Sequence, residues 1–158
     1  MTIDDIPVIA PYFRFVTTNT CDFTVGGMFM WRDYFHMAWQ VEDGVLYSTL
    51  TGEDGNLYYN LPLGEDIPAG LRQCLTRHPE RPVRFCTIPE AELPLFRELP
   101  GRVEITEEEN FADYLYSAEE MIRLSGKKFS GQRNHISRFL RTCQSWSFEP
   151  LDSTDAAE

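Results

Sequence analysis

The apolar positions along the chain change period several times, and each change marks an element. Residues 3–15 read as a short N-terminal helix, with Asp4 and Asp5 suited to its positive end and Pro7 and Pro11 keeping it short or irregular. Loop chemistry rich in Thr, Asn and Asp follows at 17–22. Residues 25–34, with Met28, Phe29 and Trp31, then predict a helix whose start the Gly26-Gly27 pair weakens. Two apolar runs, 37–41 and 45–51, flank Glu42-Asp43-Gly44, and Asp-Gly between such runs predicts a hairpin. A second turn at Glu53-Asp54-Gly55-Asn56 leads into a strand at 57–61, giving an antiparallel meander.

The second half of the pattern is more broken. Leu71, Cys74 and Leu75 share one face of a helix expected at 67–77, and Pro79 lies beyond its end. A short buried strand is expected at 83–88, and a helix at 90–99 with Pro94 in its first turn. Further strands are expected at 103–106 and 113–116, around the acidic bend Glu107-Glu108-Glu109-Asn110. Helices follow at 118–124 and 129–143, the latter with an Ile136, Phe139 and Leu140 stripe, and a strand at 146–148. Residues 151–158 read as a loop and the start of a helix capped by Ser153 or Thr154, as if a longer protein continued there. This order predicts an α+β (mixed α/β) fold with a central, mostly antiparallel sheet flanked by helices. Solenoid-period repeats and low-complexity tracts are both missing.

Composition narrows the classes. A chain of 158 residues with 42% hydrophobic and 13% aromatic content can bury a core, so a disordered acidic chain is excluded. No apolar run approaches a membrane span, and the acidic start is unlike a secretory signal, so the expected location is cytoplasmic. Cys21, Cys74, Cys86 and Cys143 are too scattered for zinc or a disulfide framework and are expected to be reduced and mostly buried. His36, His78 and His135 are equally dispersed, so no metal site is expected.

Charge adds the one strong asymmetry. The net charge is −11, yet no acidic residue occurs between Glu120 and Glu149. That interval holds Arg123, Lys127, Lys128, Arg133, Arg138 and Arg141, with Asn134 and His135 among them. Glycines at 126 and 131 let backbone amides approach an anion at the start of the following helix. Lys127, Lys128, Arg133, Asn134, His135 and Arg138 are therefore the candidate phosphate- or anion-binding residues. The opposing reading is a solvated helix face that pairs with acidic surface. The segment is not a P-loop, because GxxxxGK[ST] is absent.

These residues also carry a resemblance. The pattern Cys-Asp-x-Thr-x-Gly-Gly-x-x-x-Trp-Arg-Asp-Tyr at 21–34 and the Leu61-Pro62-Leu63-Gly64 strand end belong to it. So do Phe85-Cys86-Thr87-Ile88-Pro89, Asp113-Tyr114-Leu115-Tyr116, and the run from Lys127 through Ile136 to Phe139. Together they resemble the bacterial phosphatidylglycerol lysyltransferase C-terminal-domain-like family. The resemblance implies a GNAT-like fold and tandem GNAT-like domains, with transfer of an aminoacyl group from charged tRNA to a lipid headgroup by characterised relatives. On that footing residues 1–117 form a first GNAT-like domain, 118–150 a connecting basic helix and strand, and 151–158 the beginning of a second domain. The donor would be aminoacyl-tRNA or acyl-CoA, and the partners a second GNAT-like half, tRNA or an anionic lipid headgroup. The Arg/Gln-x-x-Gly-x-Gly/Ala loop through which GNAT enzymes hold coenzyme A pyrophosphate is missing after the central strands.

The remaining candidates are weaker. Cys21 has no base placed beside it by sequence and reads as structural. Trp31-Arg32-Asp33-Tyr34 is a ligand-pocket candidate that reads first as an aromatic anchor with a surface ion pair, and Asp113 at a strand edge is a weak candidate general base. No catalytic residue is assigned. Two functions of different class follow: part of an acyl or aminoacyl transferase, or a non-catalytic GNAT-like scaffold whose basic helix docks a partner or phosphate ligand.

Overall fold

The computed structural model describes residues 1–109 and 112–150. The chain divides into two compact units, Met1–Asp113 and Tyr114–Glu158. The expected cap and helix start at 151–158 lie outside the described residues.

The first unit is organised by a four-stranded sheet in the order β1-β2-β3-β4. Strands β1 (Ala38–Glu42) and β2 (Val45–Thr51) pair antiparallel through Asp43 and Gly44, which adopt φ of 49° and 75°. Two positive φ values match a two-residue turn to the strand twist, which is why Asp-Gly was informative. Strand β3 (Leu57–Tyr59) pairs antiparallel with β2, and β4 (Arg84–Phe85) pairs parallel with β3. The parallel step is made by α3 (Ile67–Arg77), entered through Asp66, whose Oδ1 accepts the Ala69 N–H at 2.8 Å. The other helices of this unit are α1 (Ile6–Ile9), α2 (Val25–Trp31) and α4 (Leu93–Arg97). 3₁₀ turns flank α1 at Ile3–Asp5 and Ala10–Phe15, and Pro7 and Pro11 sit in the first turns of their segments.

Strand β2 is buried on both faces. Leu46 joins Ile9, Phe23, Leu61, Leu63, Leu71 and Phe96 in one cluster, while Val45 and Tyr47 pack with Tyr59 and Cys74 in another. Gly70 of α3 brings its backbone against Pro62 and Val45, where a Cβ would sit 3.0 Å from the Pro62 ring. The second unit contains α5 (Ala118–Arg123), a 3₁₀ turn at Lys127–Phe129 and α6 (Ser130–Thr142).

Several expectations are corrected. The segment at 83–88 supplies only two paired residues, Arg84 and Phe85, and is half-exposed rather than buried. The helix at 25–34 stops at Trp31. Residues 103–106, 113–116 and 146–148 are not strands. Tyr114, Leu115 and Phe148 are 88%, 97% and 87% exposed. β-Branched and aromatic residues favour a strand only when a neighbouring strand offers a ladder, and none lies beside them among the described residues. Of the cysteines only Cys74 is buried, and Cys21 is exposed.

Candidate functional site

In the first unit the chemistry collects at the end of the parallel pair β3 and β4. The Cys86 N–H donates to the Tyr59 carbonyl at 3.0 Å, one residue past the end of β4. Pairing of Thr49 with Tyr59 and of Leu46 with Leu63 leaves Tyr47 and Ser48 opposite three residues, Asn60, Leu61 and Pro62. That extra residue is a β-bulge, and it tolerates a proline that a regular ladder would not. On the other strand Thr87 turns away with φ 53°, a left-handed value that a β-branched side chain adopts only under constraint.

Polar side chains meet at this end of the strands. The Asn60 Nδ2 donates to the buried Ser48 hydroxyl at 3.0 Å, and the Thr87 hydroxyl donates to Asn60 Oδ1 at 3.4 Å. The Cys86 thiol also lies on Asn60 Oδ1, at 3.5 Å, and burial pushes its pKa up to about 11. The negative charge of Asp22 acts in the same direction, which brings the Cys21–Phe23 turn into this neighbourhood.

That turn holds a contact between residues 92 apart in sequence. The Cys21 N–H and thiol both donate to the carboxylate of Asp113, each at 3.1 Å. A thiol beside a carboxylate suggests nucleophile and base, but the electrostatics run the other way. The hydrogen bond to Asp113, then desolvation, then the charge of Asp22 all hold the Cys21 thiol above its ordinary value. Reactive thiolates need electropositive surroundings, so this pair is a clamp. It fixes the turn before α2, where Thr24 Oγ1 donates to the Cys21 carbonyl at 2.8 Å and accepts the Gly27 N–H at 2.9 Å. Desolvation, with Asp113 nearby, raises the pKa of Asp22.

The second unit carries the residues expected to bind phosphate, and it puts them to unequal uses. Lys128 Nζ lies 2.7 Å from Glu120 Oε1 and over the Phe129 ring. Arg133 Nη1 donates to the Leu124 and Gly126 carbonyls, bracing the loop in which Leu124 and Gly126 have φ of 47° and 86°. Lys127, Asn134, His135 and Arg138 are exposed. The N-terminal end of α6 has no side-chain cap. Lys127 and Lys128 precede it, although cations are disfavoured at the positive end of a helix by some 0.3–1 kcal/mol each. The 3₁₀ turn continues into α6, its Lys127 carbonyl accepting the Ser130 N–H, so what an anion would meet there is the exposed Lys127 ammonium.

Comparison with known proteins supplies the classification. The model of a family described as phosphatidylglycerol lysyltransferase, C-terminal, matches residues 13–158. The chain belongs to that family. A mixed sheet flanked by helices is the GNAT-like arrangement the family resemblance predicts. A crystal structure of a conserved protein of unknown function from Bacteroides thetaiotaomicron VPI-5482 is similar, with a TM-score of 0.69 at 28% identity. The similarity covers 96% of this chain and 52% of that one, so the chain spans about half the length of that structure. No curated protein matches. Among the described residues no helix is long and apolar enough to cross a membrane.

Sequence reasoning found the basic segment because charge runs are local. It missed the clamp between Cys21 and Asp113 and the Asn60, Cys86 and Thr87 cluster, whose members lie on different elements. A weak signal existed: Asp22-bearing and Cys86-bearing motifs both belonged to the family pattern.

Proposed function

We propose that the chain is part of an acyl or aminoacyl transferase that moves an aminoacyl group from charged tRNA to a lipid or another amine or hydroxyl acceptor. In this reading Lys127, Lys128, Arg133, Asn134, His135 and Arg138 form its phosphate-contacting surface. Family membership over residues 13–158 is the observation that carries the reading. Two features support the choice of donor. The basic run offers the exposed cations Lys127 and Arg138 at and along α6. The N-terminus of α3, where a pyrophosphate would lodge in a nucleotide-type donor site, is already capped by Asp66 and flanked by Glu65. Acyl-CoA is therefore the weaker donor.

Binding of a tRNA acceptor stem tests the surface. Each phosphate contact contributes about 0.9 to the slope of log affinity against log salt on duplex nucleic acid. Lys127→Ala with Arg138→Ala should weaken binding at least tenfold and flatten that slope by roughly two. Unchanged affinity and slope would remove the phosphate role. Arg133→Ala is the less clean variant, because Arg133 also braces the Leu124 and Gly126 carbonyls.

A second reading is favoured by one observation. Ile136, Phe139 and Leu140 of α6 are 48%, 45% and 51% exposed, and Trp146 packs edge-on against Phe139 at 5.7 Å. An apolar stripe beside a basic one suits a non-catalytic GNAT-like scaffold that docks a partner. Partner binding that persists in the Lys127 and Arg138 variants but fails in Phe139→Ser would favour it.

A further inference from the structure

A cleft in the first unit, remote in chemistry from the basic segment, has no role in either reading. It occupies about 770 Å³ between the N-terminal helical segment, the β1–β2 turn and the start of α3. That volume lies within the ordinary range for small-molecule sites. Val8, Tyr12 and Phe15 of the N-terminal segment and Val45 of β2 supply its apolar lining. The floor is polar and fixed. The Tyr47 hydroxyl donates to Gln73 Oε1 at 2.5 Å, while the Arg77 guanidinium lies over the Tyr47 ring and pairs with Glu42.

The charge at its rim is one-sided. Asp43, Glu65 and Asp66 line it, and among the described residues Arg14 is the one cation of the lining. Arg14 itself lies over the Phe15 ring at 4.6 Å, so the aromatic wall already accepts a cation on its face. Asp43 and Glu65 are exposed at the mouth. Phosphate is excluded for a structural reason as well as by charge. The amide that would greet an anion at the start of α3 donates to Asp66 instead.

We propose that this cleft binds a small amphiphilic cation, a primary ammonium on an apolar stem. The ammonium sits among Asp43, Glu65 and Asp66, and the stem lies along Val8, Tyr12 and Phe15. The complementarity is between opposite charges at the rim and apolar surface within. It does not depend on the transferase reading, since neither tRNA nor the residues of α6 enter the argument.

The test is an amide NMR titration of the whole chain with n-hexylammonium and, separately, n-hexyl sulfate. The expected result is saturable shifts of the Gly44, Ala69 and Gly70 amides with the ammonium and no saturation with the sulfate. Asp43→Asn combined with Glu65→Gln should weaken the ammonium at least tenfold. Both positions are exposed, and asparagine tolerates the positive φ of Asp43, so the variant keeps the fold. A melting temperature matching the parent checks this. The proposal is overturned if no saturation occurs with the ammonium, if the sulfate binds as well, or if the double variant binds the ammonium unchanged.

Discussion

The two units of this chain solve the problem of order differently. Met1–Asp113 buries side chains from Ile9 through to Phe96, with Ile9, Leu71 and Cys74 wholly inaccessible. In Tyr114–Glu158 Phe129 alone, among the described residues, is buried, while Ile122, Ile136, Phe139, Leu140 and Trp146 stand exposed. Charge divides the same way. Residues 114–158 carry six Lys or Arg and six Asp or Glu, so the whole net charge of −11 falls on the first unit. A 13-residue helix such as α6 is marginal without tertiary packing. Surface pairs such as Glu119 with Arg123, at 3.0 Å, add only a few tenths of a kcal/mol. The lesson is that a stable acidic body and a locally held basic segment share one chain, and that the candidate phosphate contacts lie on the less stabilised part.

The sharpest way to break this comparison is to truncate one apolar residue in each unit. Leu71→Ala removes a fully buried side chain and should cost about 2–5 kcal/mol, lowering the melting temperature by roughly 5–15 °C. Ile136→Ser should fall within about 0.5 kcal/mol of the parent. Comparable losses at both sites would mean that the α6 stripe is covered in solution, and the contrast between units would fail. Calorimetry reads both.

A smaller effect is expected at Thr87. Its φ of 53° costs a β-branched residue about 1–2 kcal/mol, which glycine does not incur. Thr87→Gly should therefore stabilise the first unit by about 1 kcal/mol in chemical denaturation, net of the long contact with Asn60. A destabilised variant would show that the Asn60 contact outweighs the strain. Stabilisation together with loss of a measurable transfer activity would mark Thr87 as strained for function.

The least expensive change concerns the clamp. The Cys21 thiol is held above its ordinary value, so at a given pH it is less ionised than a free thiol. Asp113→Ala removes the main cause, and alkylation of Cys21 by iodoacetamide at pH 8 should rise several-fold, with its pH profile moving to lower pH. A Cys143→Ser background isolates the signal, because burial holds Cys74 and Cys86 at about 12 and 11. An unchanged rate would show that Asp113 does not control that thiol.

Which of these features the sequence foretold follows from the range of the forces involved. The β1–β2 turn was legible because positive φ at two adjacent residues is a requirement of Asp43 and Gly44 alone. Helix α3 was legible, since Pro79 lies just beyond its end and Leu71 and Cys74 mark its buried face. The basic run of α6 and the family pattern were likewise written in neighbouring residues. Strands at 103–106, 113–116 and 146–148 were not determined in this way, because a strand exists only when a partner supplies its ladder.

Only the tertiary structure decided what those residues do. Chain packing brought Asp113 onto Cys21 and set Asn60 between Ser48, Cys86 and Thr87. It also turned Arg133 toward the Leu124 and Gly126 carbonyls while leaving Lys127 and Arg138 exposed. The cleft rimmed by Asp43, Glu65 and Asp66 likewise depends on a helical segment that begins forty residues before its turn. Composition and periodicity register the cost of each residue in its local setting. The partner of a polar group is fixed by the backbone path between distant segments, and that path is a property of the packed chain.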